Sequence, residues 1–329
     1  MNEEPMSSSE GMRPPMRLGF AVVFVVCAFH ASACDLGKLT VDTTAKVLVR
    51  AQPALQQESD YQLAHDAFPG TLKTIEGFWI VDPENSDLIG ILTEGYCQYG
   101  TGFVEDDWEI AKFAKKLDEV EAHNARATHI FTRCLNYALA QLGERWQADL
   151  FDTTEKVALL VKETGASRRN QMMWAALALG SIINHNLSRP EMLSYVSTVK
   201  LILDRVLELD RASLPGRPDY AALPHLALGI IYSVGSAQVG GDAAKARAEF
   251  EAALKLTSDK GHPAGRLLLA RAFLGYRVGL MTNDQAFFHA QLSQVLETPP
   301  SVWPEQRLAN EVAHRRARRY LSHEKELFQ

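Results

Sequence analysis

The residue with the best-defined chemistry in this chain is Cys34. It closes the run Leu18-Gly-Phe-Ala-Val-Val-Phe-Val-Val-Cys-Ala-Phe-His-Ala-Ser-Ala-Cys34, which follows Met16-Arg17. A positive start, a short apolar core and small residues before a cut site make an export signal. The core, Leu18 to Phe29, is shorter than the roughly 20 residues that cross a bilayer of about 30 Å, so its removal is expected. Two routes compete at the cut. Ala31-Ser32-Ala33 fits ordinary signal peptidase, which leaves a soluble exported protein with Cys34 first. Ala-Ser-Ala-Cys also resembles a bacterial lipobox, with Ala31 where leucine is usual, and there the thiol takes a diacylglycerol before cleavage. The second route is the expectation, because a cut rarely falls on cysteine by chance. Acyl chains contribute about 0.8 kcal/mol per buried CH₂, so two or three of them hold a domain at a membrane surface. Residues 1–15 are polar and acidic, and Met12 or Met16 reads as the start of the signal.

Elsewhere the sequence offers little chemistry. It contains no H-E-x-x-H, G-x-S-x-G or P-loop. No C-x-x-C pair or Cys/His cluster suggests a metal, and no cofactor is expected. His185, between Asn184 and Asn186, is the nearest thing to a polar constellation. It follows the apolar stretch Met172–Ile183, so it reads first as a helix C-cap, and second as part of the polar mouth of a cavity. Trp174, Tyr96 and Tyr99 could wall such a cavity, although aromatics at helical spacing are more often plain core. Export permits a disulfide between Cys97 and Cys134, but lone cysteines in apolar helices are more often buried thiols, and thiols are the expectation. Arg315-Arg-Ala-Arg-Arg319 reads as a solvated helix face favoured by the dipole, with anionic headgroups or an acidic partner as the second reading. The net charge of -6 argues against nucleic acid as a partner.

The elements that must position these residues are helical. After Cys34 the chain is long enough for one large core or a repeat array, and its composition is that of a globular protein. Leu139, Leu142, Trp146 and Leu150 share a helical face, as do Leu267, Ala270, Leu274 and Val278. Breakers stand at Asn186–Pro190, Leu214–Pro218, Gly240–Asp242, Lys260–Pro263 and Thr298–Pro300. Asp242 and Ser188 are placed to cap helix starts. The division expected is an extension and signal over 1–33, a lipidated tether over 34–60, and a helical domain over 61–329, with Leu36–Glu58 as the tether proper.

Repeats set the architecture. The tetratricopeptide unit carries Leu-Gly and an aromatic in its first helix, then Ala, Phe and Ala in its second. Leu228-Gly229 and Tyr232, then Ala246, Phe250 and Ala253, match it. The glycine lets the two helices close up, and the phenylalanine fills the gap it leaves. Leu179-Gly180 with Leu203 and Val206 begins a second unit, and Leu274-Gly275 with Leu292 and Val295 a third. A fainter one runs from Gly95 to Leu135 and Ala138, interrupted by the acidic stretch Glu105–Glu109. The fold expected is all-α: tetratricopeptide-like helical hairpins stacked into one domain, an architecture that binds rather than catalyses.

These residues also carry a more specific resemblance. Gly95-Tyr-Cys-Gln-Tyr99-Gly-Thr-Gly-Phe-Val104, Trp174 through Asn184, Arg205-Val-Leu-Glu-Leu-Asp210, His225-Leu-Ala-Leu-Gly229, Gly240 through Leu254 and Leu308-Ala-Asn310-Glu-Val-Ala313 resemble the T component of TRAP transporters, the TatT family. The likeness spans about residue 60 to the C-terminus. It implies a periplasmic lipoprotein of tetratricopeptide-like helices, assembling as a homotrimer and lacking an enzymatic role. It also implies docking of the transporter's solute-binding protein and an apolar cavity for a hydrophobic small molecule. A general tetratricopeptide adapter for envelope assembly is the alternative.

Overall fold

The computed structural model describes residues 36–234 and 241–329. Cys34, the export signal and Gly240 lie outside the described residues. Among those described there are helices and no strands, and the all-α expectation holds. In chain order they are α1 (Leu36–Ala51), α2 (Pro53–Gln56), α3 (Tyr61–Val81), α4 (Ser86–Tyr99), α5 (Glu105–Phe113), α6 (Leu117–Leu142), α7 (Glu144–Asp149), α8 (Thr154–Glu163) and α9 (Arg169–Asn184). Then follow α10 (Pro190–Leu193), α11 (Val196–Ala212), α12 (Pro218–Tyr232), α13 (Ala243–Leu256), α14 (Leu268–Phe273), α15 (Gly279–Thr282), α16 (Gln285–Glu297), α17 (Arg307–Ser322) and α18 (Glu324–Leu327). Short π-helical stretches, Gly100–Val104 and Leu274–Val278, join α4 to α5 and α14 to α15 without a break.

The segment read as a tether is instead helix α1, with Val41 and Ala45, one turn apart, buried against the domain. The expected breakers fall between helices. Asp242 caps α13 by accepting from the Lys245 amide. Ser188 does not cap: α10 begins at Pro190 with Arg189 in the cap position, because proline fixes the first turn there. Leu139 and Trp146 share no continuous helix, since Gly143 at φ +101° ends α6 and starts α7. That left-handed backbone suits glycine.

The Gly229 reading survives in detail. A Cβ at Gly229 would lie 2.7 Å from ring carbons of Phe250, which is fully buried. The contact seats α12 against α13. In the fainter unit the glycine that meets the second helix is Gly100, whose added Cβ would stand 2.6 Å from the Phe131 ring of α6; Gly95 faces Leu72 of α3 instead. Gly180 is looser, with Val199 at 3.7 Å.

Buried apolar residues form two clusters. The first is built on α1, α3, α4, α6, α7, α8, α9 and α11; the second on α13, α14, α16 and α17. Helix α12 serves both, with Leu228 in the first and Ala222 and Leu226 in the second. Two polar devices hold this frame. Asp210 of α11 takes a bidentate pair from Arg169 of α9 (2.8 and 2.6 Å), and Arg169 also donates to the Tyr220 carbonyl of α12 at 2.9 Å. The basic run of α17 is not a solvated face. Arg319 meets Asp106 (2.5 Å) and Glu109 (2.7 Å), Arg315 meets Asp106 (3.0 Å), and Arg316, 1% exposed, meets Glu105 (3.4 Å). Of its four arginines Arg318 is exposed and Arg315 half-exposed, while Arg316 and Arg319 are turned inward. The partner of the basic run is the acidic stretch of the same chain.

The expectation of free thiols is overturned as well. Cys97 of α4 and Cys134 of α6 form a disulfide with Cα atoms 5.4 Å apart. Cys97 lies three residues before Gly100 and Cys134 three residues after Phe131, and the close approach of Gly100 to the Phe131 ring brings the two cysteines' helices together. Both sulfurs rest on the Trp174 carbonyl oxygen, at 3.8 and 4.0 Å.

Two measurements check this frame. Gly229→Leu should overpack the Phe250 contact at about 1–3 kcal/mol, and Phe250→Ala should cost about 3–5 kcal/mol through the space it leaves. Urea unfolding that shows neither loss would remove the contact from the account. The second concerns Glu76 of α3, which is buried and accepts from Arg133 (2.6 Å), Tyr96 (2.7 Å) and Tyr137 (2.9 Å) and pairs with Lys73. Burial pushes its carboxyl up, but the Lys73, Tyr96 and Tyr137 hydrogen bonds and the Arg133 charge outweigh it and hold the pKa at about 2, below the usual 4.5. Folding therefore favours the ionised form. That stabilisation is complete above about pH 4.5 and is lost as pH falls toward 2. Glu76→Gln should flatten the acid limb of stability over that window; an unchanged limb would place acid sensitivity elsewhere.

Candidate functional site

The two clusters do not merge everywhere, and space remains along their seam. The large cavity, about 510 Å³, lies between α9, α11 and α12 on one side and Phe273 and Arg277 on the other. That size falls in the usual range for small-molecule sites, about 300–1,000 Å³. Its walls are mainly aliphatic: Ala176 and Ile183 of α9, Val199 of α11, and Leu226, Ala227 and Ile230 of α12. Thr101, Glu105, Ser181, Asn184 and Arg277 supply the polar atoms. An apolar chamber of about 150 Å³ shares Thr101, Leu177, Leu223 and Leu226 with it, and so continues the same seam. A polar pocket of about 210 Å³ follows, sharing Glu94, Trp174 and Tyr220 with that chamber.

Local sequence explains the walls. In α12 the run Ala-Leu-Pro-His-Leu-Ala-Leu-Gly-Ile-Ile is apolar on nearly every face, because it is packed on both sides. Leu223, Leu226, Ala227 and Ile230, at three- and four-residue spacing, form one stripe, and that stripe faces the cavity. The π-helical stretches turn Thr101 and Arg277 to the same space from opposite clusters. Insertions of this kind re-aim side chains within a helix and recur at functional sites.

The sequence-selected residues divide. Trp174 lines both the apolar chamber and the polar pocket, held by the disulfide beneath its carbonyl and by Tyr220 edge-on at 6.2 Å. Asn184 lines the large cavity at the end of α9. Tyr96 and Tyr99 line none of the three spaces. Tyr96 donates to Glu76, and Tyr99 accepts from Arg126 at 2.6 Å while its ring packs on Phe68 and Phe103. His185 is buried in the C-cap position of α9, with Nδ1 3.0 Å from the Asn124 amide oxygen and its ring edge-on to Trp108. Its Nε2 lies 3.5 Å from Glu105, so it reaches the cavity only through that carboxylate. The side chain that caps the end of α9 is Asn186, which donates to the Ile182 carbonyl at 2.8 Å.

Sequence reasoning missed Glu94, Tyr220 and Arg277. Glu94 is buried where the polar pocket meets the apolar chamber. It accepts from Tyr220, from Gln98 at 2.8 Å and from Gln56 at 3.3 Å. Burial pushes its carboxyl pKa up, against the Tyr220 hydrogen bond. The signal was present for Arg277: it interrupts Leu267–Leu280, a stretch otherwise almost wholly apolar. Glu105 likewise faces the cavity with its carboxyl pKa lowered; burial opposes ionisation, and His185 and the Arg316 charge prevail.

Among the described residues no group of three or more His, Cys, Asp or Glu is placed to hold a metal, and no helix is long and apolar enough to cross a membrane. No curated protein matches the chain. A family profile described as TAtT: TRAP transporter T-component matches residues 57–328, from just before α3 into the end of α18. A match over most of the chain, on a helical domain with an apolar cavity along its seam, settles the family: this protein belongs to the T components of TRAP transporters.

Proposed function

We propose that this T component is anchored at the periplasmic side of the membrane by acyl chains on Cys34, assembles as a homotrimer, and docks the transporter's solute-binding protein while its large cavity takes a hydrophobic small molecule. An accessory role in TRAP transport follows from the family itself. The observation that supports the ligand is the mainly aliphatic cavity of about 510 Å³ with few polar groups in its lining; the anchor, the trimer and the docking rest on the family likeness and on the export signal ending at Cys34. Sites of that make-up hold ligands by burial and orient them by a few hydrogen bonds. Asn184 is the sequence-selected residue that contacts ligand in this reading, and Trp174 walls the chamber and the polar pocket that continue the same seam. Tyr96, Tyr99 and His185 act behind them, fixing α3, α4, α5 and α6. The Cys97–Cys134 disulfide supports a destination outside the cytosol, where such bonds persist. No catalytic step is assigned. The lipid on Cys34 is decided by the intact mass of the N-terminal peptide.

Docking is tested by surface plasmon resonance between the immobilised protein and the solute-binding protein of the same transporter. Saturable binding is expected, with no chemical change in any molecule that co-purifies. If neither a solute-binding protein nor a small apolar molecule binds, the general adapter role replaces this one.

A further inference from the structure

Among the described residues, Arg277 is the one cation in the lining of the large cavity. The other arginines at this seam have carboxylates of their own: Arg315 has Asp106, Arg316 has Glu105 and Glu109, and Arg319 has Asp106 and Glu109. Arg271, four positions after Leu267, is buried but saturated by Gln291, Gln294 and the Ala264 carbonyl. Arg277 has no ion pair among the described residues. Its hydrogen bond is a long one, 3.4 Å from Nη1 to the Ser233 hydroxyl, and its buried Nε has no partner. Its guanidinium lies over the Phe273 ring at 5.3 Å, which orients it but does not neutralise it. The residues that follow Val234, Gly235-Ser-Ala-Gln-Val-Gly240, contain no acid.

An arginine stays charged at any pH a cell meets. Arg277 lies in a mainly aliphatic space where the Glu105 carboxylate, already held by Arg316 and His185, acts on it at a distance without pairing, so the guanidinium keeps a desolvation cost that a bound anion would offset. Glu105 is the acid sharing this lining, and it is engaged by Arg316 and His185. Lys112 is close enough for Arg277 to lower its pKa, though burial lowers it more, so it adds positive potential at the same end. A planar guanidinium matches a carboxylate with two parallel hydrogen bonds. The carboxylate of Glu105 in the same wall would repel a doubly charged headgroup more than a singly charged one.

Resting on the reading that the cavity holds a ligand, we propose that this ligand is an amphiphilic monoanion, an alkyl chain bearing a carboxylate, with its headgroup on Arg277 and its tail along the α12 stripe of Leu223, Leu226, Ala227 and Ile230. The hydroxyls of Thr101 and Ser181 and the amide of Asn184 complete the polar lining of the same cavity.

The experiment is isothermal titration of laurate, dodecan-1-ol and dodecyltrimethylammonium, each below its micelle concentration. The protein is the exported Cys34→Ala form, which needs no detergent. Laurate should bind more tightly than dodecan-1-ol by about 10- to 100-fold, the range for a charge-assisted hydrogen-bonded contact. Arg277→Gln, checked for intact helicity and melting temperature, should erase that preference and leave dodecan-1-ol binding unchanged. The wild-type comparison stands even if the variant fails to fold. Equal binding of laurate and dodecan-1-ol overturns the anion assignment and leaves the cavity reading intact. Preference for the ammonium probe overturns it in favour of Glu105. Binding of none of the three removes the cavity reading itself.

Discussion

The ion network between α5 and α17 is the constraint on which the rest of the structure depends. Helix α17 lies mainly in the second apolar cluster, α5 packs on α6 of the first while its Phe113 lies against the second, and the arginines of α17 reach the acids of α5 across more than 200 residues of chain. Asp106 and Arg316 are essentially without solvent contact, so neither could be charged there alone. Arg315 also lies over the Tyr61 ring at 3.9 Å, and the Tyr61 hydroxyl donates to Asp106 at 3.1 Å, which ties α3 into the same knot. Tyr320 adds a donor to Glu109 at 2.7 Å and stacks on Tyr276. Buried pairs of this kind fix geometry more than they add stability, since their desolvation offsets much of the attraction.

The cavity follows from that geometry. Two cores are clamped at one edge by charge and share α12 as a common wall, and aliphatic side chains along the seam are left without partners from the other side. The π-helical stretches stand at the two lips of this seam. Gly100–Val104 precedes the acids of the clamp directly, and Leu274–Val278 carries Arg277. Phe273 lies under both Arg316 of the clamp and Arg277 of the cavity, at 5.0 and 5.3 Å. The clamp and the cavity are thus one construction. The disulfide acts on the far wall, where it holds α4 to α6 beneath Trp174. The cross-link keeps these two helices of the wall from drifting apart.

Helical periodicity and the glycine–phenylalanine pairing were legible in the sequence, because both are local rules: a 3.6-residue period and a missing Cβ opposite a large ring. Gly229 and Phe250 were readable for that reason, and so was the cap at Asp242. The family likeness was legible over nearly the whole domain. What was not legible depends on which distant segments meet. The acidic stretch Glu105–Glu109 and the basic run at Arg315 were each visible, but taken singly the first reads as an interruption of a repeat and the second as a solvated face. The Cys97–Cys134 pairing was open to an exported chain, but neither cysteine lies in a short spaced motif, and only the packing of α4 on α6 brings them together. Tyr96 and Tyr99 have the residue type of a cavity wall, yet the helix phase of α4 turns them to Glu76 and Arg126 instead. Trp174 and Asn184 lie on α9, whose other face is core, and there the phase does bring them to the seam. Arg277 was readable only as an oddity, a charge in an apolar run, until the cavity beside it was seen.

Whether the seam between the two cores holds a molecule decides the proposed function. Native mass spectrometry of the protein drawn gently from its own cell envelope measures this directly. The account predicts a non-covalent adduct of small-molecule mass on each chain, lost in Ala227→Trp, where an indole fills the space beside α12 while the protein keeps its helicity. A bare polypeptide mass in the wild type, or an adduct that persists undiminished in a folded Ala227→Trp variant, would contradict it.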